Sequence, residues 1–144
     1  MITTDKAQRP KSLSSQTQLA LLTTWFEQDD MRMQALAACA EVFKRLNIAD
    51  WAIAAGFVRN FVWDKLHGFT TSALNDIDVI YFCACDLSED TERLIQQTLN
   101  EIVALNWSVK NQARMHTRNG DAPYLCCLDA MTYWPEKQTA VAVK

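Results

Sequence analysis

The amino-acid sequence predicts an α/β domain, an α+β arrangement of two layers, and three observations carry that prediction. Two segments with helical apolar spacing come first, at about 15–28 and 30–46. Short apolar runs bounded by turn residues then alternate with helical patterns, in the order β-α-β-α-β followed by α and β. Gly56 stands where the first of these runs turns into its helix. The 144 residues, 49% hydrophobic and 22% charged, suffice for one domain with its own core. The expected division is a disordered N-terminus over 1–14 and one domain over 15–144. Within that domain a helical hairpin spans 15–48 and an α/β core spans 49–144.

Each element follows from local signals. Ser15 to Gln18 reads S-x-x-Q, a capping box ahead of Leu19, Leu22 and Phe26. Asp29 and Asp30 end that helix and cap the next, whose apolar stripe is Met33, Leu36, Ala37, Ala40, Phe43 and Leu46, with Arg32, Glu41 and Arg45 opposite. Trp25 and Phe26 read as core. After a turn at 47–50, Trp51 to Ala55 is a buried strand. The helix opened by Gly56 buries Val58, Phe61, Val62 and Leu66, leaves Arg59, Asp64 and Lys65 for solvent or ligand, and stops at Gly68. Phe69 to Asn75 is a loop, and Ile77 to Phe82 the second strand.

Ser88 caps a helix with Glu89, Asp90 and Glu92 in its first turn, where the helix dipole favours anions. Leu94, Ile95, Thr98, Leu99, Ile102 and Val103 face inward. Trp107 to about Arg118 reads as the third strand, or a long strand and turn; if extended, it sets Lys110, Gln112, Arg114, His116 and Arg118 on one face. Asn119-Gly120-Asp121 is a turn, Leu128 to Trp134 a short helix stopped by Pro135, and Thr139 to Val143 a strand.

Composition narrows the function. A net charge of −3 argues against a general nucleic-acid coat protein. No apolar run approaches the roughly 18 residues of a membrane span, and Met1 to Ser15 has no apolar signal core, so the expected location is cytoplasmic. The five cysteines fit a reducing compartment. Cys83 with Cys85, and Cys126 with Cys127, could be combined with His116 into a zinc site. Their spacing matches no standard zinc module, so reduced, partly buried thiols are the better reading.

The chemistry centres on Asp76 and Asp78. On a strand, residues i and i+2 share a face, so the two carboxylates project side by side and repel unless a cation sits between them. Hard oxygen ligands of this kind suit Mg²⁺, which binds through one or two carboxylates plus substrate phosphates. The turn at Gly56 offers what phosphates need, close backbone followed by a helix N-terminus.

Gly56-Phe57-Val58-Arg59-Asn60, then Leu66-His67-Gly68, then Asp76-Ile77-Asp78 resembles the signature of the DNA polymerase β-type nucleotidyltransferase superfamily. Its motif in tRNA-nucleotidyltransferases and poly(A) polymerases runs G-G-x-V-R-D, a helix ending in L-x-G, then D-x-D. With Ser108 to His116 and Trp134-Pro135-Glu136, the sequence is similar to a family of small bacterial proteins. That family is nucleotidyltransferase-like (NTP transferase family 6), once a domain of unknown function. The resemblance covers about 15–144 and implies a polymerase β-type nucleotidyltransferase core with a mixed sheet. It implies transfer of a nucleoside monophosphate from a nucleoside triphosphate (NTP), with pyrophosphate leaving. Asp76 and Asp78 would hold one or two Mg²⁺ ions as catalytic and metal residues. Gly56, Arg59, Lys110, Arg114 and His116 would contact nucleotide or acceptor. A small molecule or protein is favoured as acceptor over long RNA.

Three departures bear on that implication. The first glycine of the G-G pair is Ala55. The superfamily's third carboxylate, expected on a neighbouring strand, is replaced by Lys110 and Asn111; Asp121 and Asp129 are the nearest carboxylates. The family pattern continues beyond the Trp-Pro-Glu segment, so a chain ending at Lys144 is expected to be a short or truncated member. Plain structural alternatives stay open: an Arg59–Asp64 surface pair, a basic strand that protects a sheet edge, and a capped turn at Asn75-Asp76. Two other functional readings also remain, a nucleotide-binding relative without chemistry and a structural or interaction module.

Overall fold

The computed structural model describes residues 14–70, 74–136 and 140–144. Among these are six helices and four strands. Of the N-terminus over 1–14 that is expected to be disordered, residues 1–13 lie outside the described residues, as do the middle of the 69–75 loop and the start of the last strand. The chain forms two compact units, one ending at Met33 and the other Gln34–Lys144.

The front unit holds α1 (Ser15–Glu27) and the first turn of α2 (Asp30–Arg45). The cap of α1 is Ser14, one residue before the expected Ser15; its hydroxyl oxygen accepts the Thr17 N–H at 3.2 Å. Asp29 serves α2 as expected, accepting the Arg32 N–H at 2.9 Å. It also pairs with the Arg32 guanidinium at 3.1 Å, and Arg32 is buried, not on an exposed face.

In the second unit β1 (Trp51–Ala54), β2 (Asp76–Tyr81), β3 (Asn106–Asn111) and β4 (Ala142–Val143) form one sheet in the order β3-β2-β1-β4. Only β2 and β3 run parallel, so the sheet is mixed. One face carries Trp51, Ile53, Ile77, Val79, Tyr81, Trp107 and Val109, all buried. Phe43 of α2 stacks on Trp51 and tilts against Tyr81, each at 5.5 Å between ring centroids. The buried face of α2 in this unit is Ala35, Ala38, Cys39, Val42 and Phe43, whereas Leu46 is exposed. Of the expected stripe Phe43 is buried, while Ala37, Ala40 and Leu46 are exposed, so the buried face is rotated toward Ala35, Ala38, Cys39 and Val42.

The helix α3 (Gly56–Leu66) packs against β1 and β2. It buries Phe57, Phe61 and Asp64, leaving Leu66 exposed and correcting the expected stripe. Its end forms as expected. Gly68 adopts φ +65°, its N–H donates to Lys65 O, and the Phe69 N–H donates to Asp64 O. This is a Schellman closure that few residues but glycine allow. Ser88 caps α4 (Glu89–Ile102), with Ile95 and Leu99 buried and Leu94 and Ile102 exposed.

The largest correction concerns the long third strand. The strand β3 ends at Asn111, and Gln112 begins a helix, α5 (Gln112–Asn119), closed by Gly120 at φ +74°. Asn111 makes the switch. Its Oδ1 accepts from the Ala113 N–H at 3.1 Å and from the Cys83 N–H at 3.0 Å. Its Nδ2 donates to Cys83 O and Asp86 O, each at 2.9 Å. Fully buried, Asn111 therefore caps one helix and ties down the 83–86 loop.

The opposite face of the sheet is covered over Ala54 and Ile80 by Cys127 and Met131 of α6 (Cys127–Thr132). It opens toward the start of β2, where Asp78 is half-buried and Asp76 exposed.

Candidate active site

The register of the sheet builds the site. Asp78 pairs with Ala54 on one side and Ser108 on the other, and Asp76 pairs with Asn106. Paired residues share a face, so Asp76, Asp78, Asn106, Ser108 and Lys110 all project to the open side. The i, i+2 reading of the carboxylates holds in the structure. Asn106 Nδ2 donates to one oxygen of Asp76. Burial raises the Asp78 carboxyl above its ordinary value and the Asp76 charge raises it further, while Arg59 opposes both.

Arg59 stands in the first turn of α3, exposed, with its Nε donating to Asn60 Oδ1 at 3.2 Å. The cap of that helix is Ala55, which has no side-chain oxygen to satisfy the first-turn N–H groups. This leaves a helix N-terminus suited to an anion. A Cβ at Gly56 would lie 3.2 Å from Asn60 Nδ2 and 3.6 Å from Arg59 Nη2. Both are ends of flexible side chains, so Gly56 is close-fitting without being a strict requirement of the fold.

Ala55 is the unexpected residue. It sits at φ +57°, ψ −128°, a region that essentially only glycine enters freely. It is held there by its N–H donating to Val141 O at 2.8 Å and by its carbonyl accepting from Val58 and Arg59. The chain thus keeps the backbone of a glycine pair while carrying a methyl group. Ala55→Gly is expected to raise stability by about 1 kcal/mol, the relief of strain exceeding the added freedom of the unfolded chain. Urea denaturation measures this, and a lower midpoint would mean that Ala55 is unstrained.

Arg59 is near enough to Asp78 to act on its charge, and Ala55, Asp78, Ser108 and Lys110 line one open region. Arg114 does not. Because α5 is a helix, Arg114 turns to α4, where its Nε and Nη2 reach the two oxygens of Glu92 at 2.7 Å each, with Glu89 at 3.5 Å. Glu92, in the first turn of α4 as expected, is buried and also accepts the Asn111 N–H at 2.7 Å. His116 lies edge-on to Tyr124 at 6.2 Å, its Nδ1 buried and without a partner among the described residues. Asp121 accepts from Tyr124 and Asp129 from the Leu125 N–H, so neither supplies a third carboxylate. Asn111 is not at the site either. On the open face β3 presents Asn106, Ser108 and Lys110 instead.

The donor set fits a hard cation in part. Two adjacent carboxylates with a hydroxyl beside them suit Mg²⁺, which keeps several waters and takes substrate phosphates as further ligands. No cluster of three or more metal-ligating side chains occurs among the described residues. The cysteine pairs do not join His116 in a cluster; all five cysteines are free thiols. Among the described residues no helix is long and apolar enough to cross a membrane.

The sequence pattern of a family described as nucleotidyltransferase matches residues 41–144. No curated protein matches. Among solved structures, one described as "The NMR structure of the protein reveals a CCA-adding enzyme head domain" is similar. It is 33% identical with a TM-score of 0.68, and the match covers 84% of this chain and 62% of that one. The chain thus spans less than two thirds of that protein's length. With the glycine turn, the paired carboxylates and the mixed sheet in the positions described, this chain belongs to the nucleotidyltransferase family.

Proposed function

We propose that the chain is a Mg²⁺-dependent nucleotidyltransferase that moves a nucleoside monophosphate from an NTP to an acceptor hydroxyl, with pyrophosphate leaving. The observation that carries this reading is the pairing of Asp78 between Ala54 and Ser108, which sets both carboxylates beside the turn into α3. Asp76 and Asp78 would hold the metal. When bound, Mg²⁺ neutralises triphosphate charge and lowers the pKa of a coordinated hydroxyl. The N-terminus of α3 orients the outer phosphates, Arg59 adds a charge-assisted contact, and Lys110 offsets the paired carboxylates. Reduced thiols and access to NTPs suit a cytoplasmic location, which is part of the proposal.

The direct test is incubation with α-labelled NTPs and cell extract, followed by identification of what acquires label. Protein, small-molecule and RNA fractions are separated. A specific observation favours one other reading. With no third carboxylate facing the site from β3, the chain could bind Mg-nucleotide without turnover. Thermal stabilisation by Mg-NTP of roughly 2.7 kcal/mol at a hundredfold excess over Kd, with no label transferred, would establish that alternative.

Gly56→Val is expected to weaken triphosphate binding far more than monophosphate binding. The branched side chain pushes on Asn60 and Arg59 at the helix N-terminus, where the outer phosphates would sit. Equal weakening of both ligands in calorimetric titrations would assign the effect to folding instead.

A further inference from the structure

A cavity of about 320 Å³ opens on the same face as Asp78. It lies at the small end of ligand sites, roughly 300–1,000 Å³, which suits a single ring system better than a polymer. Besides Asp78 its lining includes Lys110, Gln112, Met115, Asn119 and Trp134. Three of these come from one face of α5, at i, i+3 and i+7.

Gln112 stands out. It is only 4% exposed as a residue, so its position is fixed by packing at the start of α5, and it forms part of the cavity wall. Asn119, on the next turns of the same face, donates from Nδ2 to the Tyr124 hydroxyl at 3.2 Å, and that hydroxyl donates to Asp121. Its carbonyl oxygen is left to accept. Trp134 is half-buried against the cluster of Ala54, Ile80, Cys127 and Met131, an anchored indole on the cavity wall.

A flat aromatic surface and a primary amide on the wall of one cavity are the chemistry that recognises a nucleobase. Stacking on an indole takes any base, whereas a glutamine amide offers a donor and an acceptor side by side to a base edge. An acceptor hydroxyl alone would use neither feature. We propose that this cavity is the nucleobase subsite for the donor nucleotide, with Gln112 reading the base edge and Trp134 stacking on the ring. The proposal rests on the nucleotidyl-transfer reading above. The switch from β3 into α5 is then what delivers Gln112 to the site.

The test compares calorimetric titrations of Mg²⁺ complexes of ATP, CTP, GTP, UTP and inorganic tripolyphosphate into the full chain and into Gln112→Met. At least one NTP should bind on the order of tenfold tighter than tripolyphosphate. Gln112→Met should remove about that factor for the preferred nucleotide and leave tripolyphosphate unchanged. If tripolyphosphate binds as well as every NTP, or if the substitution weakens both alike, the base subsite is overturned and the transfer reading stands. If none of the five binds, both fall. Should Gln112→Met lower the melting temperature enough to obscure binding, Trp134→Leu provides the same comparison, with loss confined to the nucleotides expected.

Discussion

Asp78→Asn is expected to abolish Mg²⁺-dependent nucleotide binding and to lower any transfer rate on the order of a thousandfold, while leaving the protein at least as stable as before. The functional loss follows from removing one of two carboxylates that share a face, since the remaining Asp76 is already engaged by Asn106. A metal clamp contributes several kcal/mol of charge stabilisation at the reacting phosphate, which corresponds to a loss of that size. The stability expectation has the opposite sign and comes from the raised Asp78 pKa. A carboxyl whose folded-state pKa lies above its unfolded value is harder to ionise in the fold. Its unfavourable contribution grows as pH rises from the ordinary carboxylate value through the raised one, and it is absent below that window. Asn carries no such charge, so at neutral pH the variant should melt at the same temperature or higher. A variant that binds Mg-nucleotide like the parent would remove Asp78 from the metal site. One that unfolds would make the residue structural.

Arg114→Ala should destabilise the fold by about 3 kcal/mol and leave the nucleotide affinity of the folded protein unchanged. The guanidinium meets both oxygens of Glu92 at 2.7 Å, and the Glu92 side chain is only 5% exposed. Removing the cation strands a carboxylate that also accepts the Asn111 N–H, and so loosens the cap of α5. The double substitution Glu92→Gln with Arg114→Met should recover much of the loss, because a neutral amide needs no counter-cation while its carbonyl oxygen still accepts the Asn111 N–H. Denaturant midpoints for the single and double variants, with nucleotide titrations on each, test this. A single variant of normal stability but weakened nucleotide binding would restore Arg114 to the site.

What the sequence determined by itself was local. The i, i+2 carboxylates need only a strand, and the apolar Ile77 and Val79 between and after them ensure one. The glycine closure at Gly68 and the serine cap at Ser88 depend on backbone and side-chain chemistry within a few residues, and each appears where its signal stood. The glycine turn ahead of Arg59 was legible for the same reason, and with the D-x-D pair it marked the nucleotidyltransferase family.

Tertiary structure decided everything that depended on how far an element continues. The run from Lys110 to Arg118 alternates polar groups that satisfy either a strand face or an exposed helix, so periodicity alone could not separate the two. The choice fell to Asn111, whose partners Cys83 and Asp86 are more than twenty residues away and become neighbours only when β3 aligns beside β2. That one turn sends Arg114 to Glu92, away from the face its spacing suggested, while Gln112 stays with Lys110 at the cavity. Ala55 is a second case. Its side chain argues for ordinary backbone, but Val141, just before β4, accepts its N–H and α3 must start at once, and those two constraints hold an alanine in glycine's conformation.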